Sequence, residues 1–209
     1  MVQNCKPSIV YWLDNTLYLN ITNQCSSCCY FCFKRYKRGV GGFNLKLTKE
    51  PNLEDIKKEL SGLLNSRCWD GIVFCGFGEP TERLDILIDV TRWLREHSKR
   101  HLPIRLDTNG HGYLLNPSRD VVFELKTAGL DKINVSLNAG DKQTYFEICN
   151  PIFPDAYESM LDFIQKAKTV FDVEATAVRL PEIDITKVEA LAKKLGVKFR
   201  IREYVPCFF

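Results

Sequence analysis

Three cysteines at short, unequal spacings are the residues of this chain whose types and positions could do chemistry. Cys25, Cys29 and Cys32 lie in the stretch CSSCCYFC, with three residues in the first gap and two in the second. Three thiolates on one short loop can converge on one face of a cubane, and cysteine thiolates hold iron-sulfur clusters. Three ligands leave one iron of a four-iron cluster without a protein ligand, and an open coordination position is typical of reactive metal sites.

Two other interpretations of the cysteines stay open at this point. Cys28 makes the same stretch a double Cys-x2-Cys pattern, which is typical of zinc sites. Zinc sites normally draw their two pairs from separated turns, whereas abutting pairs leave little chain to arrange four sulfurs as a tetrahedron. A disulfide framework is disfavoured, because nine cysteines is an odd number and nothing marks the chain as secreted.

Length and composition predict one sizeable globular domain. The chain has 209 residues, of which 45% are hydrophobic and 26% charged. It contains no uncharged apolar run long enough to cross a membrane, and its start lacks the apolar core of a signal peptide. We therefore expect a cytoplasmic protein whose cysteines stay reduced. A net charge of +3 does not by itself indicate nucleic-acid binding.

The elements that must position the cysteines alternate between strands and helices. Strand patterns cover residues 16–22, 71–76, 104–110, 132–140, 173–181 and 197–204, and residues 9–13 form a short edge strand or cover a barrel end. Helices are expected from Asn52 to 64, over 84–99, from Asn116 to Gly129, over 142–149 and 155–171, and from Asp184 to Leu195. This α/β alternation predicts parallel strands with right-handed crossovers. Six units fall short of a closed eightfold barrel, so we expect a partial (open) parallel β/α barrel.

Polar residues and glycines follow several of the predicted strands, where a parallel barrel keeps its reactive groups. The sequence GFGEP places Gly76, Phe77, Gly78 and Glu79 after the second of these strands. Glycine there lets backbone approach a ligand closely. Thr108 and Asn109 end the third strand, in a sequence that is also typical of a plain turn. Ser136 and Asn138 share one face of the fourth strand, where buried polar groups need a partner.

Two further features have competing interpretations. Four of the residues from Lys34 to Arg38 are basic, which fits contact with phosphate, an acidic electron donor or nucleic acid, but also a solvated loop. Cys75, on a buried strand, is most simply a small apolar filler. Cys149 and Cys207 are isolated, and an auxiliary cluster is one role open to them.

The cysteine loop, with Phe31 directly before the third cysteine, resembles the CxxxCxxC motif of radical SAM enzymes. GFGEP resembles their GGE motif, with Phe77 where a second glycine is commonest, and the resemblance covers nearly the whole chain. The stretch NITNQC, which leads into Cys25, and the stretch GFGEPT further resemble the small radical SAM proteins associated with TatD-type nucleases. This likeness names no substrate. The resemblance implies one core domain over 1–209, with 1–15 as an N-terminal extension and 203–209 as a tail.

The resemblance also implies cofactors and roles. Cys25, Cys29 and Cys32 would hold a 4Fe-4S cluster, and S-adenosylmethionine would chelate its fourth iron. Reductive cleavage would give a 5′-deoxyadenosyl radical that abstracts hydrogen from an unknown substrate, with an electron donor such as flavodoxin or ferredoxin. The residues expected to contact S-adenosylmethionine are Phe31 along the adenine, Gly76, Phe77, Gly78 and Glu79 near the amino group, and Thr108, Asn109, Ser136, Asn138 and Arg179 near ribose or carboxylate.

Two alternative functions remain open from the sequence. The first keeps both cofactors but makes the protein an activase that abstracts hydrogen from a partner protein. The second is a non-catalytic, zinc-stabilised α/β module that contacts nucleic acid through Lys34 to Arg38.

Overall fold

A computed structural model describes residues 6–204 of the chain. Within these residues one sheet has seven strands, in the order β1-β2-β5-β6-β7-β8-β9. β1 runs antiparallel to β2 at one edge, and the other neighbouring pairs are parallel. The strands are β1 Val10–Leu13, β2 Thr16–Leu19, β3 Gly39–Val40, β4 Phe43–Asn44, β5 Gly71–Phe74, β6 Ile104–Thr108, β7 Lys132–Ser136, β8 Asp172–Arg179 and β9 Lys198–Glu203.

Seven α-helices and two short 3-10 turns occur in the described part of the chain. The helices are α1 Leu53–Leu63, α2 Leu84–His97, α3 Gly112–Leu115, α4 Val121–Ala128, α5 Lys142–Cys149, α6 Ala156–Ala167 and α7 Ile185–Leu195, and the 3-10 turns are Phe33–Arg35 and Pro80–Arg83. None of the helices within residues 6–204 is long and apolar enough to cross a membrane. The six parallel strands and their crossover helices confirm the predicted open β/α barrel.

Local sequence signals account for several helix ends. Asn52 and Asp55 form the predicted capping box at the start of α1, each side chain accepting a hydrogen bond from the other residue's backbone. Asp184 caps α7, and Gly196 ends it with a positive φ of 72°, as predicted. The edge strand expected over residues 9–13 is also confirmed as β1.

The two faces of the sheet differ in chemistry, which positions the site. On one face, apolar side chains such as Ile72, Leu106 and Val135 are buried against the helices. On the other face, alternate positions carry Arg105, Asp107 and polar groups further along the sheet. Parallel strands covered on both faces are usually apolar throughout. The alternation here marks a face that is open to ligand.

Two expectations about the elements were wrong or incomplete. Asn116 does not start a helix: it ends the short helix α3, and its Nδ2 donates to the carbonyl oxygens of Gly112 and Thr81. The following helix, α4, begins only after Asp120, whose carboxylate accepts from the Phe123 N–H. The sequence 39–44 also forms the hairpin β3-β4, turned by two glycines at positive φ.

Residues 1–5 and 205–209 lie outside the described residues. The tail expected over residues 203–209 belongs mostly to that part. Cys207 lies there as well, so its proposed auxiliary role stays a prediction.

Candidate functional site

A cavity of about 400 Å³ lies at the carboxyl ends of the parallel strands. This volume is within the range of about 300–1,000 Å³ that is usual for ligand pockets. The loops after β2 and β5, the ends of β6 to β9, and α5 all contribute to its walls. The cavity therefore occupies the position where parallel β/α folds bind ligands.

The cysteine loop follows β2 directly and forms one wall of this cavity. Cys25, Cys29 and Cys32 all line the cavity, whereas Cys28 points to the exposed side, 3.8 Å from Arg35 Nη1. In residues 6–204 no three or more histidine, cysteine or acidic side chains are close enough together to hold a single metal ion. The division between three inward thiols and one outward thiol fits a set of three thiolate ligands for a multi-iron cluster.

The three inward thiols are held protonated by their surroundings. Burial raises the pKa of Cys25 to about 12 and also raises the pKa of Cys32. The pKa of Cys29 is also raised, mainly by the Cys149 side chain and to a lesser extent by burial. Thiolates are the metal-binding form, so a positively charged metal centre is the partner that would stabilise them here.

A buried polar chain braces the cysteine loop from behind. Asn109 Nδ2 donates to Ser26 Oγ at 3.0 Å, and Ser26 Oγ lies 2.9 Å from Nδ1 of His111. The other ring nitrogen of His111, Nε2, lies 2.8 Å from the hydroxyl of Tyr145. Burial lowers the pKa of His111 to about 4, so the ring is neutral near pH 7. These hydrogen bonds connect Ser26, the residue after Cys25, to the end of β6 and to α5.

The glycine loop after β5 packs directly against the backbone that leads to the cysteines. A Cβ on Gly76 would lie 2.7 Å from the Asn20 Cα, and one on Gly78 would lie 2.2 Å from the Gln24 carbonyl oxygen. The Glu79 N–H also donates to that carbonyl, at 2.7 Å. Both glycines are therefore required for loop-to-loop contact on one side, while their other side lines the cavity.

Asn20 joins the same two loops from within the core. It is fully buried, its Nδ2 donates to the carbonyl oxygens of Ser8 and Leu45, and its Oδ1 accepts from the Phe77 N–H at 2.8 Å. The Phe77 ring itself is not among the cavity-lining groups and instead makes an edge contact with Phe33. Phe77 thus contributes backbone position, and its side chain covers the cysteine loop.

The Glu79 carboxylate is buried at the cavity wall and is held by three neighbours. Oε1 accepts from Thr81 and from Thr108 Oγ1 at 2.7 Å, and Oε2 accepts from the Asn109 N–H at 2.7 Å. Burial raises the pKa of Glu79, and these donors act against that rise. Thr108 and Asn109 therefore orient the acid, and they also line the cavity.

The far wall of the cavity carries an arginine that the sequence analysis did not select. Arg202 donates from Nη2 to Asn138 Oδ1 at 3.3 Å and to Ser136 Oγ at 3.4 Å. Its Nε is buried without a hydrogen-bond partner in the described structure. Arg179, the arginine predicted for this site, instead pairs with Glu203 at 3.0 Å, is half exposed, and is not a lining residue.

Other predictions for single residues have mixed outcomes. Phe31, Ser136 and Asn138 do line the cavity, as the sequence suggested. Cys75, directly after β5, also lines the cavity, and its role as a small apolar filler stays a prediction. His111 was missed as a site residue, because a lone histidine carries no spacing pattern. Cys149 was considered only for an auxiliary cluster, and that role stays a prediction. Arg202 was missed for a related reason, since VKFRIREY offers three charged residues on one strand face.

Comparisons with known proteins agree with this geometry. A sequence profile described as Radical SAM superfamily matches residues 19–195. A relative named "Probable GTP 3′,8-cyclase", from Saccharolobus islandicus (strain L.S.2.15 / Lassen #1), is 32% identical over 188 residues, covering 87% of this chain and 54% of the relative. The chain thus spans about half the length of the curated relatives it matches.

Two solved structures show the same fold at low sequence identity. TYW1 with a lysine-pyruvate adduct bound has a TM-score of 0.64 at 16% identity, covering 92% of this chain and 66% of that chain. Streptococcus suis SuiB bound to S-adenosylmethionine has a TM-score of 0.63 at 18% identity, covering 91% of this chain and 38% of that chain.

Proposed function

The chain belongs to the radical SAM superfamily, and from that premise we propose that it generates a 5′-deoxyadenosyl radical which abstracts hydrogen from a substrate. Members of this superfamily are enzymes whose cofactors are a 4Fe-4S cluster and S-adenosylmethionine. The observation that carries the proposal is the orientation of the cysteine loop, which turns Cys25, Cys29 and Cys32 into the cavity and Cys28 away from it.

We assign the cluster to those three thiols. They share one loop and one cavity wall, and burial disfavours their thiolates unless a metal centre compensates the charge. Tyr30 and Phe31 pack against the hydrophobic core beside them, which limits the access of water. When bound, the cluster and S-adenosylmethionine together supply a one-electron cleavage of the sulfonium bond.

We assign the remainder of the cavity to S-adenosylmethionine. Gly76, Gly78 and Glu79 offer backbone and a carboxylate for its amino group, and Phe31 offers an aromatic edge for its adenine. Ser136 and Asn138 offer a hydroxyl and an amide for its ribose or carboxylate, as the resemblance implied. Arg202 replaces Arg179 in this role, because its guanidinium contacts both of those side chains and has a buried N–H to spare.

Spectroscopy of the anaerobically reconstituted protein tests this proposal. We expect brown protein with charge-transfer absorption and about four iron atoms per chain. Adding S-adenosylmethionine to the reduced protein is expected to change the electron paramagnetic resonance signal, because it binds the open iron. Colourless protein, or a signal that S-adenosylmethionine leaves unchanged, would overturn the proposal.

The reductant is proposed to dock on the surface beside the cysteine loop. Arg35, Lys37 and Arg38 are exposed, and Lys34 is half-buried next to the cluster thiols. In the described residues none of the four forms an ion pair. An acidic one-electron donor such as flavodoxin or ferredoxin matches this charge and would approach the cluster closely.

The named relatives make a nucleoside triphosphate the first substrate class to test. Relatives named GTP 3′,8-cyclase match most of this chain, and the cavity is lined by the partly buried Arg202 and by Arg200, which is exposed and paired with Glu174. If GTP is the substrate, adding it to the reduced protein with S-adenosylmethionine should raise the yield of 5′-deoxyadenosine several-fold. An equal yield with and without GTP would remove this candidate and leave the radical chemistry standing.

The other sequence-based alternatives have no support in the geometry or the comparisons. The cysteines are not arranged as two facing pairs for zinc, since Cys28 points away from the others. No feature favours a partner protein as substrate over a small molecule. Residence in the cytoplasm remains a prediction.

A further inference from the structure

The end of α5 and the residues that follow it lie alongside the cysteine loop in a fixed register. Four backbone hydrogen bonds define it. The Ile152 N–H donates to the Ser26 carbonyl at 3.0 Å and the Tyr30 N–H to the Ile148 carbonyl at 3.1 Å, while the Cys28 N–H is shared between the carbonyls of Cys149 at 3.1 Å and Asn150 at 3.2 Å. Ser27 and Pro151 form a β-bridge in the same register. Cys29 therefore lies directly opposite Cys149.

This position favours a covalent link between the two side chains. Cys149 is the last residue of α5, and the hydrogen bonds made by the Cys28 and Tyr30 N–H groups hold the backbone on both sides of Cys29 against this end of the helix. Disulfides need Cα separations of about 4.4–6.8 Å. The Cys149 side chain is also the largest cause of the raised pKa of Cys29, and both thiols line the same cavity, so the two side chains lie close to each other.

The pair is sheltered and specific. Cys149 is only 1% exposed, and Asn138 Nδ2 donates to its sulfur at 3.5 Å. Cys75 lines the same cavity but lies on β5's side of it, outside the paired segments. Cys28, next in sequence to Cys29, faces outward. Cys28 meets Cys149 through its backbone N–H, while its thiol lies on the exposed side of the loop.

We propose that Cys29 and Cys149 form a reversible disulfide when Cys29 carries no iron, which blocks cluster assembly until the bond is reduced. This inference rests on the proposed function, because it takes Cys29 as a cluster ligand. Iron ligation and the disulfide exclude each other, since both use the same sulfur.

Glutathione disulfide is a sufficient oxidant for this step. The Cys29 thiolate attacks one of its sulfurs, forming a mixed disulfide and releasing one glutathione. The Cys149 thiolate then attacks Cys29 sulfur, forming the protein disulfide and releasing the second glutathione. The two thiol protons and two electrons of the protein end on the two released glutathione thiols.

Mass spectrometry of the full chain tests the pair directly. The reconstituted protein is first assayed for iron, then stripped anaerobically with chelator and dithiothreitol, freed of reductant, and incubated with glutathione disulfide. After alkylation and digestion we expect a peptide cross-link between Cys29 and Cys149 and the loss of two alkylatable thiols. Iron uptake in a second reconstitution should fall several-fold and recover after dithiothreitol.

Matched variants separate the possible outcomes. Cys75→Ser should keep the cross-link, and Cys149→Ser should lose it. Alkylation of Cys149 in the wild-type protein after oxidation, or a cross-link from Cys29 to Cys28 or Cys32, would overturn the inference. If the starting protein takes up no iron, the proposed function fails instead, whatever the state of Cys149.

Discussion

Cys28 and Cys29 are adjacent in sequence but occupy different surroundings. Cys29 lines the cavity and contacts Cys149, whereas the Cys28 side chain is exposed beside Arg35. We predict that Cys28→Ala keeps about four iron atoms per chain after reconstitution, while Cys29→Ala loses most of its iron. Iron and sulfide analysis of both variants gives the answer. The opposite result would favour a double Cys-x2-Cys site.

His111 should make the folded state sensitive to acid. Burial lowers its pKa to about 4 from 6.5, so between these pH values the unfolded chain binds a proton that the folded chain does not. Stability therefore falls as the pH drops from 6.5 to 4, by about 3 kcal/mol for this group, and the loss stops below pH 4.

The variant His111→Gln isolates that contribution. It should lower stability at pH 7 by about 1–3 kcal/mol, because it disturbs the buried hydrogen bonds to Ser26 and Tyr145. Its stability should then depend less on pH between 6.5 and 4 than the wild type's. Urea unfolding of the reduced, cluster-free protein at several pH values measures both effects. Parallel pH curves for the two proteins would refute the assignment.

Which site residues could be predicted from the sequence depended on how close together they lie in it. Cys25, Cys29 and Cys32 were predictable because three ligands fall within eight residues, and Glu79 because it follows two glycines. Cys149 is far from the loop in sequence and meets it only through tertiary pairing. Arg202 and Arg179 are equally plausible from sequence. Only the register of β8 and β9, which pairs Arg202 with Val178 and Arg179 with Glu203, and the ion pair with Glu203 separate them.

At the scale of elements, the glycine loop and the cysteine loop behave as one packed unit. A methyl group on Gly78 would meet backbone atoms of Thr22, Asn23 and Gln24 within 2.8 Å. We predict that Gly78→Ala costs about 1–3 kcal/mol of stability, because the backbone must shift. It should also lower the iron content, because the shifted backbone leads into Cys25.

Gly62 is the matched control for that variant. It lies within α1, and a methyl group there would meet nothing within 4 Å. Gly62→Ala should leave iron content unchanged and stabilise the protein by about 0.5–1 kcal/mol. Urea unfolding and iron analysis apply to both variants. Equal behaviour of the two would show that the loop contact is unimportant.

The elements themselves were largely predictable, since period-two strands alternate with capped helices. The failures have local physical causes. Asn116 and Pro117 carry the signature of a helix start, yet the Asn116 side chain is occupied at the end of α3, and Asp120 supplies the cap instead. Phe77 departs from the usual glycine pattern without cost, because only its backbone N–H serves the contact with Asn20.

At the scale of the whole molecule, we predict that the reductant docks on the basic loop beside the cysteines. Reversing charge in Arg35→Glu, Lys37→Glu and Arg38→Glu together should slow 5′-deoxyadenosine formation at least tenfold with a flavodoxin donor, because docking loses its charge complementarity. With dithionite, which needs no docking surface, the rate should stay near that of the wild type.

The control variant carries Lys193→Glu and Lys194→Glu. These residues lie in the last turn of α7, remote in sequence from the cysteine loop. That variant should behave as wild type with both reductants. A loss with dithionite as well as with flavodoxin in the basic-loop variant would indicate damage to the cluster site and contradict the docking proposal. Raising the salt concentration should also slow the flavodoxin-dependent reaction of the wild-type protein, because salt screens the same charges.

The most direct test of the central claim is product analysis after anaerobic incubation of the reconstituted protein with S-adenosylmethionine and dithionite. Three thiols point into the cavity that Glu79 and Arg202 also line. We therefore predict that 5′-deoxyadenosine and methionine form in equal amounts. The variant Cys25→Ala should form neither. Intact S-adenosylmethionine in the presence of a reduced, fully loaded cluster would contradict the account.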